Sequence, residues 1–150
     1  MHSGGITHLK FSLRDFYLFS GARRDNNILV WDIRNTIQPL RYFTRDSNTN
    51  QRMIFDVDEF GTKLIAGNRN GSIMLFDVNK GHCIKLFGGH FDCIGSIQFS
   101  PLSSEIALSG SGQRHYKVVG KHVEEEFECI SDNDTTNEQM NSLRIWHIPY

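Results

Sequence analysis

The 150 residues include 39% hydrophobic and 11% aromatic side chains, enough for a packed core and too many for a wholly disordered chain. Formal net charge is −1, yet residues 1–114 hold 13 Lys+Arg against 10 Asp+Glu while residues 115–140 hold 2 against 7, so a basic body with an acidic insert is the better description. Three cysteines, none spaced Cys-x-x-Cys, argue against a disulfide framework or zinc site and fit a reducing compartment; no run approaches the ~18 apolar residues that span a bilayer as a helix.

In chain order, Ile6, His8 and Lys10 alternate with Thr7, Leu9 and Phe11, the period of a half-buried strand. A short apolar strand closing in Ser20-Gly21 follows, then a loop with Arg23, Arg24 and Asp25, and a third strand ending in Trp31-Asp32. Leu40–Thr44 reads as a fourth. The cycle repeats from Arg52: Met53, Phe55 and Val57 alternate with Ile54 and Asp56, and Glu59-Phe60-Gly61 turns the chain. A strand then closes at Ala66-Gly67, and Asn70-Gly71 predicts a two-residue type I′ hairpin. A strand ending in Phe76-Asp77 and a fourth at Cys83–Phe87 complete it. A third cycle starts with "CIGSIQFSP" at Cys93 and breaks off at "SGSGQRHY" (Ser109 to Tyr116). Its next strand is found at "LRIWHI" (Leu143 to Ile148), beyond the acidic insert of residues 115–140.

The chain is therefore all-β and internally repeated. Trp31 and Phe76 stand 45 residues apart, the period of a WD40 propeller blade. Ser20-Gly21 before Trp31-Asp32, and Gly89-His90 before "CIGSIQFSP", carry a resemblance to WD40 proteins. It implies a β-propeller, here about three blades over residues 1–45, 46–88 and 89–150, the last without its outer strand. In that family a Gly-His histidine, a strand-b Ser or Thr, an Asp of the b–c turn and the strand-c Trp form a buried hydrogen-bonded chain. Ser20, Asp25 and Trp31 fill it in the first blade, with no His expected there. The second has Ala66, Asn70 and Phe76, and has largely lost it. The third has His90, Ser109 and Trp146 without a matching Asp. Three blades do not close a ring of 4–8, and the chain stops two residues after its last strand. Both suggest the C-terminal blades of a larger propeller, with open edges that would leave the isolated piece marginally stable.

Three segments narrow the resemblance. "TNQRMIFDVDEFGTKLIAGNRNG" (Thr49 to Gly71) has Asn-Gln-Arg in place of Gly-His, "SGARRDNNILVWDIR" (Ser20 to Arg34) has a long b–c loop with two arginines, and "SGSGQRHY" ends its strand in Gly-Gln-Arg. Together they resemble the telomerase Cajal body protein family. The resemblance implies a nuclear scaffold with a cytoplasmic pool that binds small Cajal body RNAs and telomerase RNA. It also implies H/ACA ribonucleoprotein proteins, coilin and a chaperonin as partners, and neither a cofactor nor a small-molecule substrate. In a propeller the b–c and d–a loops emerge on one face. Arg23, Arg24, Arg69 and Arg114 lie in b–c loops and Arg52 in a d–a loop, so an arginine rim is expected. Guanidinium forks suit phosphates and stacked bases, and Gln51 and Gln113, beside two of these arginines, are candidates to read base edges. Surface arginines are also common, and a protein-binding adaptor, for example in a ubiquitin-ligase assembly, stays open as the alternative.

Enzyme signatures are missing. Gly110-Ser111-Gly112 has no following Gly-Lys-Ser/Thr for a phosphate loop, and His115 occupies the third glycine position of a dinucleotide fingerprint. The seven His show no His-Glu-x-x-His or Cys/His metal spacing. His90, Asp92 and Cys93 are close in sequence, but they alternate along the approach to a strand. The sequence thus predicts a non-enzymatic chain.

Overall fold

The structure is a computed structural model that describes residues 1–112 and 141–148. Its described residues contain strands and turns and no helix. They form three antiparallel sheets. The first sheet runs β1 (Ile6–Phe11), β2 (Tyr17–Ala22), β3 (Asn27–Asp32) and β4 (Arg41–Thr44). The second runs β5 (Phe55–Val57), β6 (Lys63–Gly67), β7 (Ser72–Asp77) and β8 (His82–Gly88). The third has β9 (Ile94–Ser100), β10 (Ser103–Ser111) and β11 (Ser142–His147), in the order β11-β10-β9. The all-β reading is borne out. The distant strand pairs where it was sought, with Ser109 opposite Arg144 and Ala107 opposite Trp146.

Each sheet is a meander, and successive sheets stack face to face. Phe19, Ile28, Val30 and Phe43 of the first sheet pack on Phe55, Leu64 and Phe76 of the second. On its other face, Ile65, Ile73 and Leu75 meet Ile94, Ile97 and Ala107 of the third. A sheet covered on both faces has no reason to alternate polar and apolar residues, and all five residues of β6 are buried. The strand alternation expected around Phe55 is lost for the same reason, since Phe55, Asp56 and Val57 are all buried. Asp56 bridges all three sheets: Oδ1 pairs with Lys10 Nζ at 2.9 Å and Oδ2 accepts the Phe99 N–H at 2.9 Å. The outward faces of the end sheets carry exposed apolar side chains, among them Leu9, Leu143 and Ile145.

Two local expectations are corrected. The Asn70-Gly71 turn is not type I′, because that turn needs positive φ at both central residues, whereas Arg24 is the single non-glycine residue with positive φ among those described. Asn68 N–H instead bonds Ser72 O at 2.8 Å, Gly71 N–H bonds Asn68 O at 3.2 Å, and Gly71 alone is left-handed, at φ 81°. That is a type I turn closed by a glycine bulge. Strand β5 starts at Phe55 rather than at Met53, where the alternation begins, and Arg52 keeps the loop position expected of it.

Candidate nucleic-acid interface

Strand polarity brings the loops after β2 and β6 to the same face as the loops before β1, β5 and β9. Residues 45–54, between β4 and β5, are the hub of this face. Arg45 N–H bonds Asn26 O at 2.8 Å, and Ser47 Oγ donates to Asp25 O at 2.6 Å. Arg24 N–H bonds Thr49 O at 3.0 Å. From the second sheet, Arg69 N–H bonds Asp46 O at 2.8 Å, and Asn68 Oδ1 accepts the Asp46 N–H at 2.9 Å. One loop thus fixes the backbones that carry Arg24, Arg52 and Arg69.

Arg23, Arg24, Arg52 and Arg69 are all exposed. Arg69 Nε lies 3.5 Å from Asp46 Oδ2 in an open ion pair, a contact of small energetic weight in water. Arg23 and Arg24 make no ion pair among the described residues. Arg52 Nη2 donates to His8 Nδ1 at 3.4 Å, while His8 Nε2 bonds the Phe55 carbonyl at 3.0 Å. A carbonyl only accepts, so Nε2 carries the proton and Nδ1 is free to accept from Arg52. Burial, then the Arg52 and Arg45 charges, hold the His8 pKa below the usual imidazole range, against the backbone bond to Phe55. Gln51 is half-buried, its N–H bonded to Thr49 Oγ1 at 3.2 Å. Gln113 and Arg114 lie outside the described residues.

Beneath the exposed cations lies Arg45, 4% exposed. Its guanidinium donates to Met53 O at 2.9 Å and Gly67 O at 3.4 Å and sits 5.7 Å from the Phe55 ring centroid. Desolvation lowers its pKa to about 10, so it stays charged at neutral pH, clamping the 45–54 loop to the second sheet. The sequence reading missed it because nothing in "FTRDSNTN" separates a buried arginine from its exposed neighbours.

The polar chains that brace this face are more complete than the sequence suggested. The first sheet does have its histidine, which corrects the expectation that none was present. His2 Nδ1 is 2.7 Å from Asp25 Oδ2 and its Nε2 is 2.8 Å from Ser20 Oγ, to which Trp31 Nε1 donates at 2.8 Å. An ionised Asp25 accepts from Nδ1–H, so Nε2 accepts the Ser20 hydroxyl proton and the chain runs from Trp31 to Asp25. Burial alone would raise the Asp25 pKa; the Asn27 and Ser3 N–H groups and His2 outweigh it and hold the carboxyl low. His2 was overlooked because Met1 stands where glycine was expected. A usable signal existed: His2 precedes Ser20 by 18 residues, close to the 19 separating His90 from Ser109. In the third sheet, His90 Nε2 and Trp146 Nε1 meet Ser109 Oγ at 2.6 and 2.7 Å. His90 Nδ1 meets Ser142 Oγ at 2.6 Å, so a serine fills the place of the missing Asp. Burial and then Arg144 lower the His90 pKa, favouring the neutral ring. The second sheet has no such chain, since Ala66 and Phe76 replace the serine and indole.

No group of three or more His, Cys, Asp or Glu among the described residues is placed to hold a metal ion. Cys93 is buried, and desolvation followed by Asp92 raises its thiol pKa, the opposite of what a thiolate nucleophile needs.

Comparison with known proteins agrees with this architecture. Residues 1–32 match the family model "WD domain, G-beta repeat". The chain is 38% identical over 122 residues to telomerase Cajal body protein 1 of Mesocricetus auratus, covering 77% of this chain and 22% of that protein. It is 37% identical over 118 residues to the Drosophila melanogaster homolog of the same protein, again covering 77% and 22%. The chain thus spans about a fifth of the length of these curated relatives. The solved structure of U3-55K superposes with a TM-score of 0.62 at 21% identity, over 73% of this chain and 34% of that one, a likeness of fold.

Proposed function

This chain is a WD40-repeat protein, and from that premise we propose that it is an RNA-binding scaffold that engages small Cajal body RNAs and telomerase RNA and helps hold their ribonucleoproteins in nuclear Cajal bodies. The names of the relatives, which carry the words telomerase and Cajal body, support the telomerase association and the location. The observation that carries the reading is the convergence of exposed Arg24 and Arg52, from separate blades, on one loop whose backbone is fixed by Arg45. Preorganised cations bind a polyanion without first having to order their own backbone. Arg23 and Arg24 meet phosphates first, Arg52 swings from neutral His8 to a phosphate, and the Gln51 amide is within a residue of that contact to read a base edge. Arg69 joins by exchanging Asp46 for phosphate. Gln113 and Arg114 belong to the same proposed set by their Gly-Gln-Arg sequence.

The test is RNA binding by the full chain as a function of salt. Each lost single-strand phosphate contact should reduce the log-affinity salt slope by ~0.7, so Arg24→Gln with Arg52→Gln should flatten it by about 1.4. An unchanged affinity and slope in folded protein would remove these residues from the interface. A protein-adaptor reading draws on Tyr42, Ile84 and Leu86, which are exposed on β4 and β8. Cross-linking in cells separates the two, because an adaptor recovers no RNA above background.

A further inference from the structure

Phe91 is 83% exposed, at the tip of the loop between β8 and β9, although sheets on both sides of that loop are in place. It belongs to neither apolar core. The loop that presents it is rigidly held: Gly89 N–H and His90 N–H both bond Gly71 O, at 3.1 and 2.8 Å, and the His90 ring is locked between Ser109 and Ser142. Phe91 also lines a shallow depression of about 200 Å³ together with Gly88, Gly89, His90 and Arg144. Arg144 is exposed on β11, and Arg69 stands two residues before the Gly71 that anchors the loop.

A large apolar ring on a fixed loop, sharing a depression with the exposed guanidinium of Arg144, is the arrangement that takes one unstacked base with its phosphate. Every base has a π-face, so the ring supplies stacking, and the Arg144 cation neutralises the adjoining phosphate. Acidic side chains would argue against such a ligand, and among the described residues none lines the depression. We propose that Phe91 is a stacking platform for a single nucleotide of single-stranded RNA, with Arg144 as its phosphate contact. The platform extends the arginine face outward across the third blade. This inference rests on the RNA-binding reading above.

The experiment measures binding of a fluorescein-labelled mixed-sequence RNA 12-mer to the full chain, with wild type, Phe91→Ala, Phe91→Tyr, Arg144→Gln and the Arg24→Gln/Arg52→Gln pair. Loss of one base stack should weaken Phe91→Ala by about 5- to 150-fold with the salt slope unchanged. Phe91→Tyr should restore affinity, and Arg144→Gln should lower the slope by about 0.7. A 12-mer carrying 5-iodouridine should cross-link to Phe91. If Phe91→Ala binds within twofold of wild type while the Arg24/Arg52 pair weakens binding, the platform is overturned and the RNA reading stands. If wild type fails to bind the 12-mer, both fall. Because Phe91 is so exposed, its variants should melt with wild type, and a shared melting temperature keeps folding out of the comparison.

Discussion

Replacing Ser20 by alanine removes one oxygen and tests whether the Trp31–Ser20–His2–Asp25 chain holds the first blade together. Ser20 is 2% exposed, and its hydroxyl is bonded to both the His2 imidazole and the Trp31 indole at 2.8 Å. Alanine fits the same space, so the cost is polar. Two hydrogen bonds at about 1 kcal/mol each are lost, and the indole N–H is left without its acceptor, an orphan worth up to about 1–3 kcal/mol. Trp31 is only half-buried, which lets water offset part of that. A loss of about 2–3 kcal/mol follows, or about 4–12 °C in melting temperature for a domain of this size. Urea denaturation gives the free energy, and an unchanged m-value shows that the denatured state is not responsible. A double-mutant cycle with Trp31→Phe should show coupling above about 0.5 kcal/mol. The second blade supplies the reciprocal test. Ala66 is fully buried opposite Met74 with no histidine or indole to meet, so Ala66→Ser should destabilise by about 1–3 kcal/mol. A Ser20→Ala variant within 0.5 kcal/mol of wild type would refute the role of the chain.

Asp56→Ala should cost about 2–4 kcal/mol by urea denaturation, chiefly through the orphaned Phe99 N–H, because Lys10 is partly exposed and can turn to water. Gly71→Ala puts a Cβ 2.0 Å from the His90 carbonyl oxygen at a φ of 81°; a loss above about 2 kcal/mol is expected in thermal unfolding, since the left-handed conformation alone costs about 1–2. Stability should fall as pH drops from 7.5 to 5.5. His8 and His90 both have folded pKa values below 6.5, so near and below that pH the unfolded chain binds more protons and stability rises with pH. His8→Gln with His90→Gln should shrink the difference in melting temperature between the two pH values; an unaltered difference would exclude these rings as its source.

The loop positions of Arg23, Arg24, Arg52 and Arg69 were legible, because strand order determines which loops share a face; Arg114 lies outside the described residues. The chemistry of these arginines was less so. Arg45 and Arg52 flank one loop, yet Arg45 is buried against Phe55 and Arg52 reaches outward to His8, a division set by where the second sheet's backbone carbonyls fall. Nothing in the sequence singles out Phe91, since exposure of an aromatic depends on whether neighbouring sheets cover it. Asn70-Gly71 was located correctly and typed wrongly: hydrogen bonding between Asn68 and Ser72, four residues apart, decided the turn.

By itself the sequence determined that this is a repeated all-β chain, down to the resumption of the third blade after a long insert. Strand periodicity and Trp-Asp endings are local, and a residue carries them wherever its partners lie. Tertiary structure alone decided who those partners are. His2 completes the first blade from 23 residues before Asp25, and Ser142 stands in for an aspartate from 52 residues after His90. A buried polar group must find a partner but does not specify which, so the choice falls to whatever the closing loops bring within about 3 Å.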